Sequence, residues 1–194
     1  MKWILPGLLA LAIAPSAAVA EAPVFAVVPG SSSVTFKVVK ASLPIQGRFQ
    51  KWNSSLTLTS PDPSTAVFEI NVEAASVDTG SGLKNGTLKG AEFFDVKNNP
   101  VISFRSTKIS QTGPETFTMT GDFKLRGVSK LQTVVLETTG HGTGSGTITG
   151  TMTFNRKDYG MNGGIPFVQI GDHVDVTIHL KVKRVSGPPV SLKS

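Results

Sequence analysis

Cysteine is missing from all 194 residues. Its absence excludes disulfides, thiol nucleophiles and thiolate metal sites, so the fold must be held by its core alone. Histidine is scarce: only His141, His173 and His179 are present. His173 and His179 share the polar face of one strand-like segment but stand six residues apart. At strand rise that is about 20 Å, too far to share a metal. No acid–base pair and no nucleophile–base pair stands out. Gly144-Ser145-Gly146 lacks the five-residue pattern of a nucleophile elbow. The glycines from Gly140 to Gly146 recur at every second position, which is not the spacing of a dinucleotide-binding loop. These gaps turn the reading away from an enzyme.

Charge of one sign is never gathered. The chain carries 19 Lys and Arg against 13 Asp and Glu, a formal charge of +6. Lys37, Arg48, Lys84, Arg105, Lys124, Arg156 and Lys181 fall on different segments. A nucleic-acid binder collects them on one face, so nucleic acid is not an expected partner. A mild attraction to anionic membrane surfaces, enough for transient contact, stays open. The longest apolar run, Trp3 to Ala14, is too short to span a bilayer comfortably. With Lys2 ahead of it and Ala18-Val19-Ala20 behind, it reads as a secretory signal peptide over residues 1–20, removed after Ala20. No cysteine at that site excludes a lipoprotein anchor. Removing 20 of the 194 residues leaves 174, which suits one domain with a real core. That domain is expected over 21–185, with a polar, proline-rich tail over 186–194 that frays.

Strand-like alternation fills most of that domain. Val34, Phe36 and Val38 oppose Thr35 and Lys37. Phe68, Ile70 and Val72 oppose Glu69, Asn71 and Glu73. Phe117, Met119, Gly121, Phe123 and Leu125 form the cleanest apolar face, and Ile148, Gly150, Met152 and Phe154 repeat the pattern. The last segment, His173 to Arg184, puts Val174, Val176, Ile178, Leu180 and Val182 on one side. Each segment has the period of a half-buried strand. Arg48 to Thr59 is out of phase, since Phe49 and Leu56 differ by an odd number of positions; a bulge near Trp52 to Ser55 would correct it. Residues 21–30 read as a lead-in broken by Pro23 and Pro29, Gly140 to Gly146 as a hairpin loop, and Asp158 to Pro166 as another loop.

One stretch differs. Ser81 to Ala91 has no period of two and reads as a short helix, with Leu83 and Leu88 turned inward and Thr87 beside them. Phe93 and Phe94 follow as an apolar plug, Asn98-Asn99-Pro100 as a turn, and Val101 to Thr107 as a strand with Ile102 and Phe104 on one face. Such an insertion either caps a barrel or merely connects two strands. About eight strands without helical crossovers predict an all-β, antiparallel fold, a sandwich or a barrel. A barrel of that size is either filled by side chains or holds one small ligand.

The order of several blocks is similar to the YceI-like family. These are Ser33-Val34-Thr35-Phe36, Gly47-Arg48-Phe49, Ser76 to Gly80, Leu88 to Asp95 with its Phe93-Phe94-Asp95, and Pro100 to Thr107. Gly121 to Lys130, Asn155 to Met161 and Gly171 to Ile178 continue the match over nearly the whole mature chain. The resemblance implies an extended, eight-stranded, lipocalin-like antiparallel barrel with one short helical insertion, located in the bacterial periplasm. It implies a long apolar ligand along the barrel axis, a polyisoprenoid or an isoprenoid quinone, and no other cofactor. Homodimer formation is left open.

The apolar lining would be Phe36, Val38 and Phe49 from the first strands, and Phe68 and Ile70 from the next. Leu88, Phe93 and Phe94 would come from the insertion, and Ile102, Phe104, Met119 and Phe123 from the middle strands. Met152, Phe154, Ile178 and Leu180 would complete it. Thr87, where the family often has His, and Arg105 or Arg156 are the candidate head-group contacts, although both arginines equally suit an outer face. Pro29-Gly30-Ser31-Ser32-Ser33 replaces the family's Asp-x-x-His-Ser. The competing readings are a filled-core barrel serving as an interaction or stress-related module, and an enzyme on a lipid-like substrate.

Overall fold

Alternating β-branched and aromatic residues build strands that bury one face. The computed structural model describes residues 21–39, 41, 45–164 and 169–193. The expected leader over 1–20 and the last two residues of the loop expected over Asp158 to Pro166 lie outside the described residues. In chain order the elements are β1 (Val24–Val27), β2 (Ser33–Val38), β3 (Gln46–Phe49), β4 (Trp52–Thr57), β5 (Val67–Glu73) and β6 (Val77–Asp78). Then come α1 (Gly82–Lys89), β7 (Val101–Gly113), β8 (Thr116–Leu125), β9 (Val128–Thr138), β10 (Ser145–Asn155) and β11 (His173–Ser186).

Every pairing is antiparallel, and the sheet closes on itself. β11 pairs with β10 on one side and with β1 and β2 in succession on the other. β3 and β4 likewise follow one another along the next position, beside β2 and β1. β5 and β6 form the third, and β7 to β10 complete the ring. The result is a closed eight-stranded barrel wound as a simple meander, with α1 inserted between its third and fourth wall strands. Closure leaves no edge strand over most of the wall.

Three expectations change. The lead-in contains β1, whose Val27 pairs with Val182 and whose Phe25 pairs with Arg184. Four residues bracketed by two prolines are too few to show a period. Arg48 to Thr59 is not one bulged strand: it breaks at Gln50 and Lys51, where the chain stops pairing with β2 and β6 and starts pairing with β5. The phase jump between Phe49 and Leu56 is that change of partner. β7 runs past Thr107 to Gly113, with a bulge between Ser106 and Lys108. There the buried Ser106 hydroxyl accepts the Phe68 N–H at 2.9 Å, satisfying a donor that the ladder would otherwise orphan. Gly121 sits opposite this bulge because a Cβ would meet the Arg105 carbonyl oxygen at 2.2 Å.

The two ends of the barrel are closed differently. At one end α1 is tied down by Asn85, whose side-chain oxygen accepts the Thr79 N–H and hydroxyl at 2.8 and 2.7 Å. Leu88 on its inner side, and Phe93 and Phe94 just after it, are buried. The Asn98 and Asn99 amides donate to the Asp95 carboxylate, fixing the turn into β7. So the insertion caps the barrel. At the other end the tail, read from its prolines as frayed, lies against the wall. Val190 N–H donates to Gly142 O, Ser191 N–H to Pro61 O, and Lys193 N–H to the Gln111 side chain.

Candidate functional site

Inward-facing side chains meet in two aromatic clusters at the α1 end. Phe36, Phe49 and Phe94 pack with ring centroids 5.6 to 6.2 Å apart. Phe123, Phe154 and Tyr159 form the second, at 5.2 to 5.4 Å. Between them lies a chamber of about 290 Å³. Its wall is almost wholly apolar; among the described residues its polar members are Thr87 and Lys84 at the α1 rim, Ser103 and Arg156. The interior is therefore not filled.

Thirteen of the sixteen expected lining residues reach this chamber: Phe36, Val38, Phe49, Ile70, Leu88, Phe93, Phe94, Ile102, Phe104, Phe123, Met152, Phe154 and Ile178. The other three do not. Phe68, Met119 and Leu180 are buried deeper along the axis, around a void of only about 40 Å³. The path expected for a long ligand along the barrel axis is thus narrowed there. A further space of about 110 Å³ opens beyond them at the tail end, closed by Val190 and Leu192. Val34, Val72, Leu125, Val174 and Val176 also line the main chamber. They share the phase of residues that were named, so alternation alone could have found them. Met161 and Ile170 line it from irregular segments, where no periodicity points to them.

The polar candidates separate clearly. Arg105 stands on the outer wall with its side chain 65% exposed, paired with Glu69 on β5. It faces away from the chamber, so its head-group role is withdrawn. Arg156 touches the chamber but is a structural staple, with its side chain only 7% exposed. Its Nε donates to Gly171 O at 3.1 Å, its Nη1 to Gly163 O at 3.0 Å and to Met161 O, and its Nη2 to Asp172 Oδ1 at 3.4 Å. Four of its five N–H groups are thereby used. The neutral carbonyls it gathers belong to the segment that follows β10. Thr87 stays at the rim, half-buried, its hydroxyl donating to Leu83 O at 3.0 Å. Leu83 was expected to turn inward; it stands 84% exposed at the same rim.

The turn after β10 also completes the wall. β9 pairs with β10 only between Val135 and Thr138, so Val128 to Val134 diverge from it. Tyr159, expected in a loop, fills that opening and is 1% exposed. Its hydroxyl accepts from Gln132 Nε2 at 2.9 Å, and the Lys130 ammonium lies 5.9 Å from its ring while pairing with Asp158. Burial pushes the Tyr159 phenol up, against the Gln132 hydrogen bond that lowers it. Asp172 is held below the usual carboxylate range, first by its hydrogen bond from Lys157 and further by the charges of Lys157 and Arg156. Among the described residues no three His, Asp or Glu converge to hold a metal. His179 instead shares a hydrogen bond with Thr149 at 3.1 Å.

A closed antiparallel barrel with an apolar chamber under a helical cap defines a lipocalin-like barrel. The YceI-like domain profile matches residues 25–182, and the chain belongs to that family. A UPF0312 protein of Pseudomonas syringae pv. tomato is 29% identical over 140 residues, covering 69% of this chain and 71% of that one. Among solved structures, BcnA of Burkholderia cenocepacia superposes with a TM-score of 0.72 at 23% identity, covering 81% of this chain and 99% of that one. A domain of Saccharophagus degradans, described as polyisoprenoid-binding and implicated in plant cell wall breakdown, superposes with a TM-score of 0.63 at 14% identity. That match covers 84% of this chain and 99% of the other, and at such identities both structures show the fold alone.

Proposed function

We propose that the protein is a periplasmic binding and carrier protein that holds the apolar chain of an isoprenoid lipid, a polyisoprenoid or an isoprenoid quinone, without chemical change. The observation that carries this reading is the chamber of about 290 Å³ walled by aromatic and aliphatic side chains. A chain threaded there loses water at about 25 cal/mol per Å² of apolar surface, a driving force that tolerates variation in shape. The polyisoprenoid-binding description of the Saccharophagus domain supports the same ligand class. The near absence of polar groups in the wall favours holding over catalysis, which needs donors and acceptors aimed at a reacting atom.

In this reading residues 1–20 direct export and are removed after Ala20. Leu83, exposed at the rim beside Lys84, makes transient contact with an anionic bilayer, where the lipid enters. The test is solvent extraction and native mass spectrometry of mature protein purified from the periplasmic fraction, followed by exposure to a quinone and a polyprenol. Recovery of an isoprenoid, or stoichiometric uptake of one, is expected. Empty protein that takes up neither refutes the proposal.

A further inference from the structure

The interior narrows in one place, and every wall strand that contributes there does so in the same order. On β11 the chamber is lined by Val174, Val176 and Ile178, the narrow part by Leu180, and the far space by Val182. On β8 the order is Phe123, then Met119, then Phe117; on β5 it is Ile70, then Phe68, then Ala66 just before the strand. Phe68, Met119 and Leu180 thus form a waist across the axis; all three are buried, and Met119 and Leu180 are among the most buried side chains of the protein. Yet the waist is not solid. β10 contributes Gly150, which has no side chain, and Ile148 there, and the void of about 40 Å³ beside them touches Ile178 on the chamber side and Leu136 on the far side. Of the three waist residues Met119 is the most adaptable, an unbranched chain with three rotatable bonds.

We propose that this waist is a chain-length gauge: Met119, with Phe68 and Leu180, sets how much of an apolar chain the protein buries. The inference rests on the lipid-holding reading above and adds its specificity. At the roughly 30 Å³ that a small molecule such as water occupies in a liquid, the chamber takes about ten carbon-sized atoms. That is the size of a short prenyl chain. Carbons beyond that number project from the α1 rim unless Met119 swings aside and opens the path to the tail-end space. Affinity therefore rises with each added prenyl unit until the chamber is full, and then levels off, because only buried carbons contribute.

The test measures dissociation constants of the mature protein for geraniol, farnesol, geranylgeraniol and solanesol by displacement of a fluorescent apolar probe. It is run on the native chain, on Met119→Ala and on Ile178→Phe. The native chain levels off within the series. Met119→Ala moves the levelling to a longer alcohol, with at least a tenfold gain for the first alcohol past the native limit. Ile178→Phe moves it to a shorter one. Should Met119→Ala fail to fold, Ile178→Phe carries the test in the opposite direction. Binding that levels off at the same alcohol in all folded proteins, or that rises without limit in the native chain, overturns the gauge while leaving lipid holding intact. Failure of the native chain to bind any alcohol overturns both.

Discussion

Arg156→Met separates a structural arginine from a ligand-binding one. The substitution keeps an apolar side chain of similar length against the chamber and deletes the guanidinium. It leaves the carbonyls of Met161, Gly163 and Gly171 without their donors, and Asp172 without one of its two cationic partners. Hydrogen bonds to a charged group contribute about 1.5 to 3 kcal/mol each when taken singly, but those of one side chain are not additive. Water reaches the half-exposed Asp172, so most of the loss comes from the carbonyls. The expected destabilisation is about 3 to 5 kcal/mol, in the range for breaking a buried charged network. For a domain of this size each kcal/mol moves the midpoint by about 2 to 4 °C, so Tm falls by roughly 6 to 20 °C. Circular dichroism melts and guanidinium titrations measure it directly. At 25 °C the fraction still folded should retain added farnesol as the native protein does. A variant with native stability that no longer retains a prenyl diphosphate would refute the reasoning and return Arg156 to the ligand.

The orientation of the strands is tested by Phe123→Asp, which puts a carboxylate into the chamber and should abolish folding or ligand retention, while Lys124→Ala on the outer face should do neither. Loss of retention in the Lys124 variant would mean that the two faces of β8 are reversed. Arg105→Ala removes an exposed ion pair with Glu69 and should change stability by less than about 1 kcal/mol, with retention unaltered. Because the Asp172 carboxyl is lowered in the folded state, its contribution is fully present above the ordinary carboxylate pKa and is lost as pH falls through the lowered value. An acid titration of Asp172→Asn should accordingly show a flatter loss of stability than the native protein. The raised Tyr159 phenol has the opposite window: stability is unaffected below its ordinary pKa of about 10 and falls as pH rises from there toward the folded value. Tyr159→Phe should remove that alkaline decline.

The legible parts of the fold were those where side chains repeat every second residue. β8 shows its inward row from Phe117 to Leu125 in the sequence itself, and its chamber residues follow. The family resemblance turned a choice between sandwich and barrel into a barrel. Illegible parts have local causes. β1 is four residues long between prolines. The step from β3 to β4 is a change of partner that looks, in one dimension, like a bulge. Arg156 and Tyr159 lie in a turn, where nothing in the spacing says that the chain folds back and buries them. The narrowing at Phe68, Met119 and Leu180 depends on depth along the axis, whereas alternation reports only which face a residue is on.

Three of the four methionines report on the interior: Met152 and Met161 line the chamber, and Met119 stands at the waist. Selective methyl labelling with titration of farnesol, followed by nuclear magnetic resonance, is therefore the most direct measurement of the central claim. Saturable shifts of the Met152 and Met161 methyl signals, with cross-relaxation to ligand protons, are the result this account predicts. Unmoved methyl signals at a farnesol concentration that saturates binding would place the ligand outside the barrel and contradict it.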